Sequence, residues 1–204
     1  DMYASAEAFN TDHVYVEDPQ DVLSSDQEQQ LKNDAHRIET IDGVENLVYL
    51  VFGSNDYNVN DTVERYMRDN LPQFIEKDVF ADGVLIVGVG LYPRQAFVFS
   101  GEDVADIFDL KDNSNHLNVS IDAMKEGVIN NNIPAGLFAS ASQAVDVDRL
   151  KENHIETSFN RATSVGKYGG MIGGIGGLFM GIGVVNEREE RRKKLEEARS
   201  NKSK

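Results

Sequence analysis

Residues 81–109, ADGVLIVGVGLYPRQAFVFSGEDVADIFD, set two apolar runs back to back. Val84, Leu85, Ile86, Val87 and Val89 form a charge-free, largely β-branched run between Asp82-Gly83 and Tyr92-Pro93-Arg94. Such a run reads as a strand buried on both faces. A tight turn at Leu91 to Arg94 leads into Ala96-Phe97-Val98-Phe99, which most simply returns antiparallel beside the first strand. Gly101 ends it. Glu102 and Asp103 then open a short helix ending near Leu110, because a negative charge is favoured at a helix N-terminus. Carboxylates therefore stand at both ends of this unit. Gly88 and Gly90 resemble part of a dinucleotide fingerprint only superficially: they lie within or at the end of a strand and open no long helix, so nucleotide cofactor binding is rejected.

Upstream of this unit, residues 1–12 lack apolar periodicity and read as a flexible arm. His13 to Val16 alternates as a short edge strand, stopped by Glu17-Asp18-Pro19. Ser24-Ser25-Asp26-Gln27-Glu28 supplies capping residues for a helix from about Asp26 to Thr40, with Leu31, Ala35 and Ile38 at helical spacing. Asn46 to Phe52, NLVYLVF, is a buried strand. The loop that follows, Gly53 to Asp61, is rich in carbonyl and carboxylate oxygens at the end of a strand, where ligands bind in open α/β sheets. Hard cations prefer such oxygens. An ordinary turn plus helix cap, with Asn60 or Asp61 capping a helix from Thr62 to Asn70, is the alternative. Leu71-Pro72 breaks that helix.

Downstream, Lys111 to His116 reads as a polar loop and Leu117 to Gly127 as a helix. After a second loop, Ile129 to Pro134, the run Ala135 to Leu150 is an Ala-rich helix. The order β, α, β, α, β, β and then helices predicts an α/β fold, a small mixed sheet with helices on both faces.

Charge divides the chain. Residues 1–150 hold nine Lys or Arg against 28 Asp or Glu, a net of −19, and residues 151–204 carry +4. An acidic body disfavours nucleic-acid phosphates and suits cations or basic partners, although solubility alone also accounts for it. The absence of cysteine excludes disulfides, thiolate nucleophiles and Cys zinc sites, and leaves the redox compartment open. The chain begins at Asp1, consistent with a processed or excised segment whose upstream targeting sequence is missing.

Tyr168 to Val185, YGGMIGGIGGLFMGIGVV, follows a linker over 151–167 and holds no charge. At about 1.5 Å per residue it would span roughly 27 Å as a helix, just enough for a hydrocarbon core. Gly169, Gly173, Gly177 and Gly181 recur every four residues, a smooth ridge suited to helix contact and homo-oligomerisation in a membrane. A flexible linker is the alternative, since glycine disfavours helix. The charged tail, 186–204, includes Arg191-Arg192-Lys193-Lys194, which places the C-terminus in the cytoplasm and residues 1–165 outside a single-pass anchor. A solvated amphipathic helix explains the same tail.

Four segments taken together, Val16 to Ser24, Asp61 to Tyr66, Asp82 to Val87 and Arg94 to Asp106, resemble the successive motifs of the TPM domain over about residues 13–150. With an N-outside anchor, the chain is similar to actinobacterial membrane-anchored members of unknown function. The resemblance implies a Rossmann-like three-layer sandwich displayed in the cell envelope. Members are linked to acid phosphatase activity, photosystem repair, receptor modulation and protein quality control, and some bind calcium through acidic loops near strand ends. The carboxylates that match the family's motifs are Asp18, Asp82 and Asp103, and Asp61 matches more loosely. Residues 74–81 replace a tryptophan- and glycine-rich segment of the common pattern, and this chain has no tryptophan.

Asp56, in the loop after the second strand, completes a metal-ligand set of Asp18, Asp56, Asp61, Asp82 and Asp103, with Ca2+ as the expected ion. A phosphatase needs a nucleophile or a metal-bound water together with charge stabilisation. No Asp-x-Asp pair follows a predicted strand; Asp146-Val147-Asp148 has the spacing but falls in a helical stretch, facing solvent. Only a metal route remains, with Arg94 able to pair with phosphate. His13, His36 and His116 are scattered and read as structural or surface residues. The expected function is a membrane-tethered extracytoplasmic protein-interaction module, an ATP-independent chaperone or assembly factor for envelope and membrane proteins with no nucleic-acid partner. The alternative is a metal-dependent acid phosphatase.

Overall fold

The computed structural model describes residues 7–40, 43–111 and 114–148, together with the backbone of Ile182–Gly183. In chain order these form β1 (Glu7–Ala8), β2 (Val14–Glu17), α1 (Ser25–Asp34), β3 (Glu39–Thr40), β4 (Asn46–Phe52), α2 (Val59–Asn70), β5 (Ile75–Glu76), β6 (Val79–Phe80), β7 (Val84–Leu91), β8 (Arg94–Ser100), α3 (Glu102–Ile107), α4 (Asn115–Ile129), α5 (Ile133–Ala144) and β9 (Ile182–Gly183). The main sheet runs β2-β4-β7-β8-β9. β2, β4 and β7 are parallel neighbours, β8 returns antiparallel beside β7, and β9 lies parallel to β8. The expected small mixed α/β sheet with helices on both faces is present.

The strands alternate their side chains between two cores, as period 2 demands. Tyr49, Val51, Leu85, Val87, Val89 and Val98 pack with residues of α1, α4 and α5, including Leu31, Met124 and Leu137. On the opposite face Val48, Leu50, Phe52, Ile86, Phe97 and Phe99 pack against Val59, Val63 and Met67 of α2. Because β4 and β7 are covered on both sides, nearly every residue in them is buried. Gly88 sits inside β7 for a packing reason: a Cβ there would lie 2.1 Å from the Leu50 carbonyl and 2.5 Å from the Phe97 ring.

Several boundaries differ from expectation. α1 ends at Asp34 instead of Thr40; a 3-10 turn over Ala35–Arg37 follows, and Glu39–Thr40 pair with Glu7–Ala8. Residues 7–12 are consequently part of the fold, with Phe9 buried and its N–H donating to the Ile38 carbonyl. The cap of α2 is Asn58, whose side chain accepts from Asn60 N–H, so the helix begins at Val59. Asn115 and His116, expected in the polar loop, already belong to α4: Ser114 caps it and His116 is fully buried. α5 ends at Ala144, leaving Asp146 outside the helix.

Among the described residues no helix is long and apolar enough to cross a membrane. Of the expected membrane segment 168–185, the structure describes only Ile182–Gly183, which are extended and aligned with Phe97 and Val98, not helical. The remainder of that segment, the linker 151–167, the tail 186–204 and residues 1–6 of the arm lie outside the described residues.

Candidate functional site

The five predicted carboxylates divide between opposite ends of the sheet. Asp18 follows β2 and Asp56 follows β4, both at the carboxyl ends of parallel strands, and Asp61 lies in the first turn of α2 at the same end. Asp82 precedes β7, and Asp103 follows the antiparallel β8, so both lie at the amino ends of β4 and β7. Seven residue steps along β7, roughly 20 Å, separate the two groups. The expectation of one convergent pocket is corrected: at the amino end Asp103 accepts from Gly83 N–H with both carboxylate oxygens, at 2.9 and 3.0 Å. It fastens the entry to β7. Asp82 beside it is exposed. Among the described residues no three His, Cys, Asp or Glu side chains group as a metal site.

The carboxyl end is built from three adjoining loops. Ser54 N–H donates to Gln20 Oε1 at 2.8 Å, joining the loop after β4 to the loop after β2. Asn55 N–H donates to the Tyr92 carbonyl at 3.0 Å, joining it to the β7–β8 turn, in which the Tyr92–Pro93 peptide is cis. Gln95, only 3 % exposed, ties them together. Its Oε1 accepts from Asn55 Nδ2 at 3.1 Å and Val59 N–H at 3.0 Å, and its Nε2 donates to the Tyr57 carbonyl at 2.9 Å. Gly90 makes room for this arrangement, since a Cβ there would fall 2.1 Å from Asn55 Oδ1.

Charges at this end are partly neutralised within it. Asp56 Oδ2 accepts from Arg65 at 2.7 Å and from Thr62 Oγ1 at 3.1 Å, and the Asp56 N–H donates back to Thr62 Oγ1 at 3.0 Å. The hydrogen bond from Arg65, then that from Thr62, then the Arg65 charge hold the Asp56 carboxyl below the usual carboxylate range. Tyr66, one turn beyond Thr62, donates to Glu17 Oε2 at 2.7 Å. Burial, followed by that bond and the charges of Glu17 and Asp18, pushes the Tyr66 hydroxyl above the usual tyrosine range. α2 thus braces the loops after both β2 and β4.

Three buried acceptors at this end have no hydrogen-bond donor: Asp18 Oδ1, Asn55 Oδ1 and Asn60 Oδ1. Asp18 accepts from Leu23 N–H through its other oxygen. The orientation of Asn55 is set by its amide, because Nδ2 donates both to Gln95 and to the Asp56 carbonyl at 2.9 Å. A buried oxygen without a donor is costly unless water or a cation satisfies it. Hard cations take carboxylate and amide oxygens alike.

Sequence reasoning identified the 53–61 loop but missed Gln95, Gln20 and the exposed pair Tyr57 and Tyr92. The available signals were a lone polar residue beside the apolar run 96–99 and a glycine at the end of β7. His116 Nε2 lies 3.1 Å from the Asp146 carbonyl in the core, a structural role. Asp146 is half-buried instead of solvent-facing. No described protein family, curated protein or solved structure matches the chain.

Proposed function

We propose that the chain is a TPM-like protein-interaction module of the cell envelope, working without covalent chemistry as a chaperone or assembly factor. The observation that supports this reading is the carboxyl-end rim, where Tyr57 and Tyr92 project 80 % and 70 % exposed from loops whose backbone carbonyls accept from Gln95 Nε2 and Asn55 N–H. Exposed aromatics on a preorganised backbone give contact area at small entropic cost, which is the chemistry of a binding surface. Ca2+ in this proposal binds at the oxygen-rich carboxyl-end loops, where Asp18 Oδ1 is buried without a hydrogen-bond donor. The test is suppression of aggregation of a thermally unfolding envelope protein by the full chain at stoichiometric amounts. No suppression overturns the reading.

The single-pass anchor, with residues 1–165 outside and the tail inside, belongs to the same proposal. It requires Ile182–Gly183 to leave the β8 edge in the membrane-bound form. Retention of the full chain in membranes after alkaline carbonate extraction supports the anchor, whereas release refutes it.

The second reading is the metal-dependent acid phosphatase that the TPM resemblance implies, for which the buried Asp18 Oδ1 without a donor offers a metal ligand. That reading predicts metal-stimulated turnover of an artificial phosphate ester that is lost in Asp18→Asn. Turnover unaffected by the substitution refutes it.

A further inference from the structure

Four large hydrophobic side chains are exposed among the described residues, and two of them, Tyr57 and Tyr92, stand on adjoining loops. Their backbones are pinned through Asn55 and Gln95. The loops after β2 and β4 are acidic: segments 17–21 and 53–64 contain Glu17, Asp18, Asp21, Asp56, Asp61 and Glu64 and no Lys or Arg, while the turn carrying Tyr92 holds Arg94 and no acid. Asp21, Asp56 and Asp61 are exposed. The cations closest in sequence are Arg65, already paired with Asp56, and Arg94 at the start of β8.

Tyrosine faces attract guanidinium and ammonium groups through the ring quadrupole, and carboxylates beside them add a salt-dependent attraction. An anionic occupant, whether nucleic acid or a lipid headgroup, meets repulsion on the same rim. We infer that the rim of Tyr57 and Tyr92 docks an extended Lys- and Arg-rich segment of a partner protein, with partner cations over the two rings and paired with Asp21 and Asp61. This rests on the interaction-module reading and adds to it the chemistry of the partner.

The probe is a short fluorescein-labelled peptide alternating Lys and Ala, titrated with the full chain and followed by anisotropy, with an alternating Glu and Ala peptide and phosphatidylglycerol vesicles in parallel. Binding of the Lys peptide alone, falling steeply with added salt, is expected. Tyr57→Ser with Tyr92→Ser weakens it at least about tenfold while the thermal midpoint stays unchanged, because both side chains are exposed. Asp21→Asn with Asp61→Asn flattens the salt dependence. Absence of Lys-peptide binding, stronger binding of the vesicles, or binding indifferent to the tyrosine changes overturns the inference. Aggregation suppression by the same preparation separates the two claims: if suppression persists without peptide binding, only the partner chemistry is wrong.

Discussion

Replacing Gln95 by leucine removes the acceptor shared by Asn55 Nδ2 and Val59 N–H and the donor to the Tyr57 carbonyl. Each group left buried without a partner costs about 1–3 kcal/mol, so Gln95→Leu lowers stability by roughly 3 kcal/mol in urea denaturation. Gln95→Glu keeps the acceptor but sets a buried carboxylate oxygen against the Tyr57 carbonyl, so it too is destabilising at neutral pH and recovers in acid as the carboxyl takes up a proton and can donate. Asp56 makes a pH-dependent contribution. Its carboxyl is held below the ordinary value of 3.8 in the folded chain, so the associated stability is present above that value and disappears as pH falls through the lowered one. The difference between the native chain and Asp56→Asn is accordingly full at neutral pH and closes in strong acid; paired urea titrations across that range measure it. The Asp56 side chain is half exposed, so the effect is small and screened by salt.

At the scale of elements, α1 owes its start to a reciprocal cap: Ser24 Oγ accepts from Gln27 N–H at 3.3 Å and Gln27 Oε1 accepts from Ser24 N–H at 2.8 Å. Ser24→Ala costs about 1 kcal/mol, read as a lowered denaturant midpoint at unchanged slope. α4 and α5 meet at Gly127 and Gly136, where a Cβ on Gly127 would lie 2.3 Å from the Gly136 Cα. Gly127→Ala therefore forces the helices apart and costs on the order of 1–3 kcal/mol by the same assay, despite alanine's better helix propensity. β4 was legible to the residue, because NLVYLVF is buried on both faces and bounded by turn residues. The end of α1 was not legible. Ala35 and Ile38 keep helical spacing whether the chain continues as α-helix or tightens into a 3-10 turn, and the pairing that decides it involves β1, far away in sequence. The start of α4 was missed for a related reason: His116 reads as polar, but in the fold it is enclosed and bonded to the Asp146 carbonyl.

At the scale of the whole molecule, the expected single ring of carboxylates failed because the antiparallel return of β8, itself legible in the sequence, leaves Asp103 beside the start of β7 and away from Asp18 and Asp56. The turn at Tyr92-Pro93 reverses β8, which carries Asp103 back to the amino end of β7 while Asp18 and Asp56 stay at the carboxyl ends of β2 and β4. The hairpin alone fixes Asp82 and Asp103 at one end; the parallel order of β2, β4 and β7, which pairs residues distant in sequence, is what sets Asp18 and Asp56 at the other. The central claim is that one rim, made by the loops after β2, β4 and β7, is the functional surface, and that the Asp82–Asp103 end is structural. A calcium titration of the full chain, followed through amide nitrogen–proton NMR spectra, tests it most directly. The account predicts saturable shifts confined to residues 18–23 and 53–62, with Gly83 and Asp103 unmoved. Shifts at Gly83 and Asp103 that saturate together with those at Asp18, or no saturable shift at the rim, would contradict it.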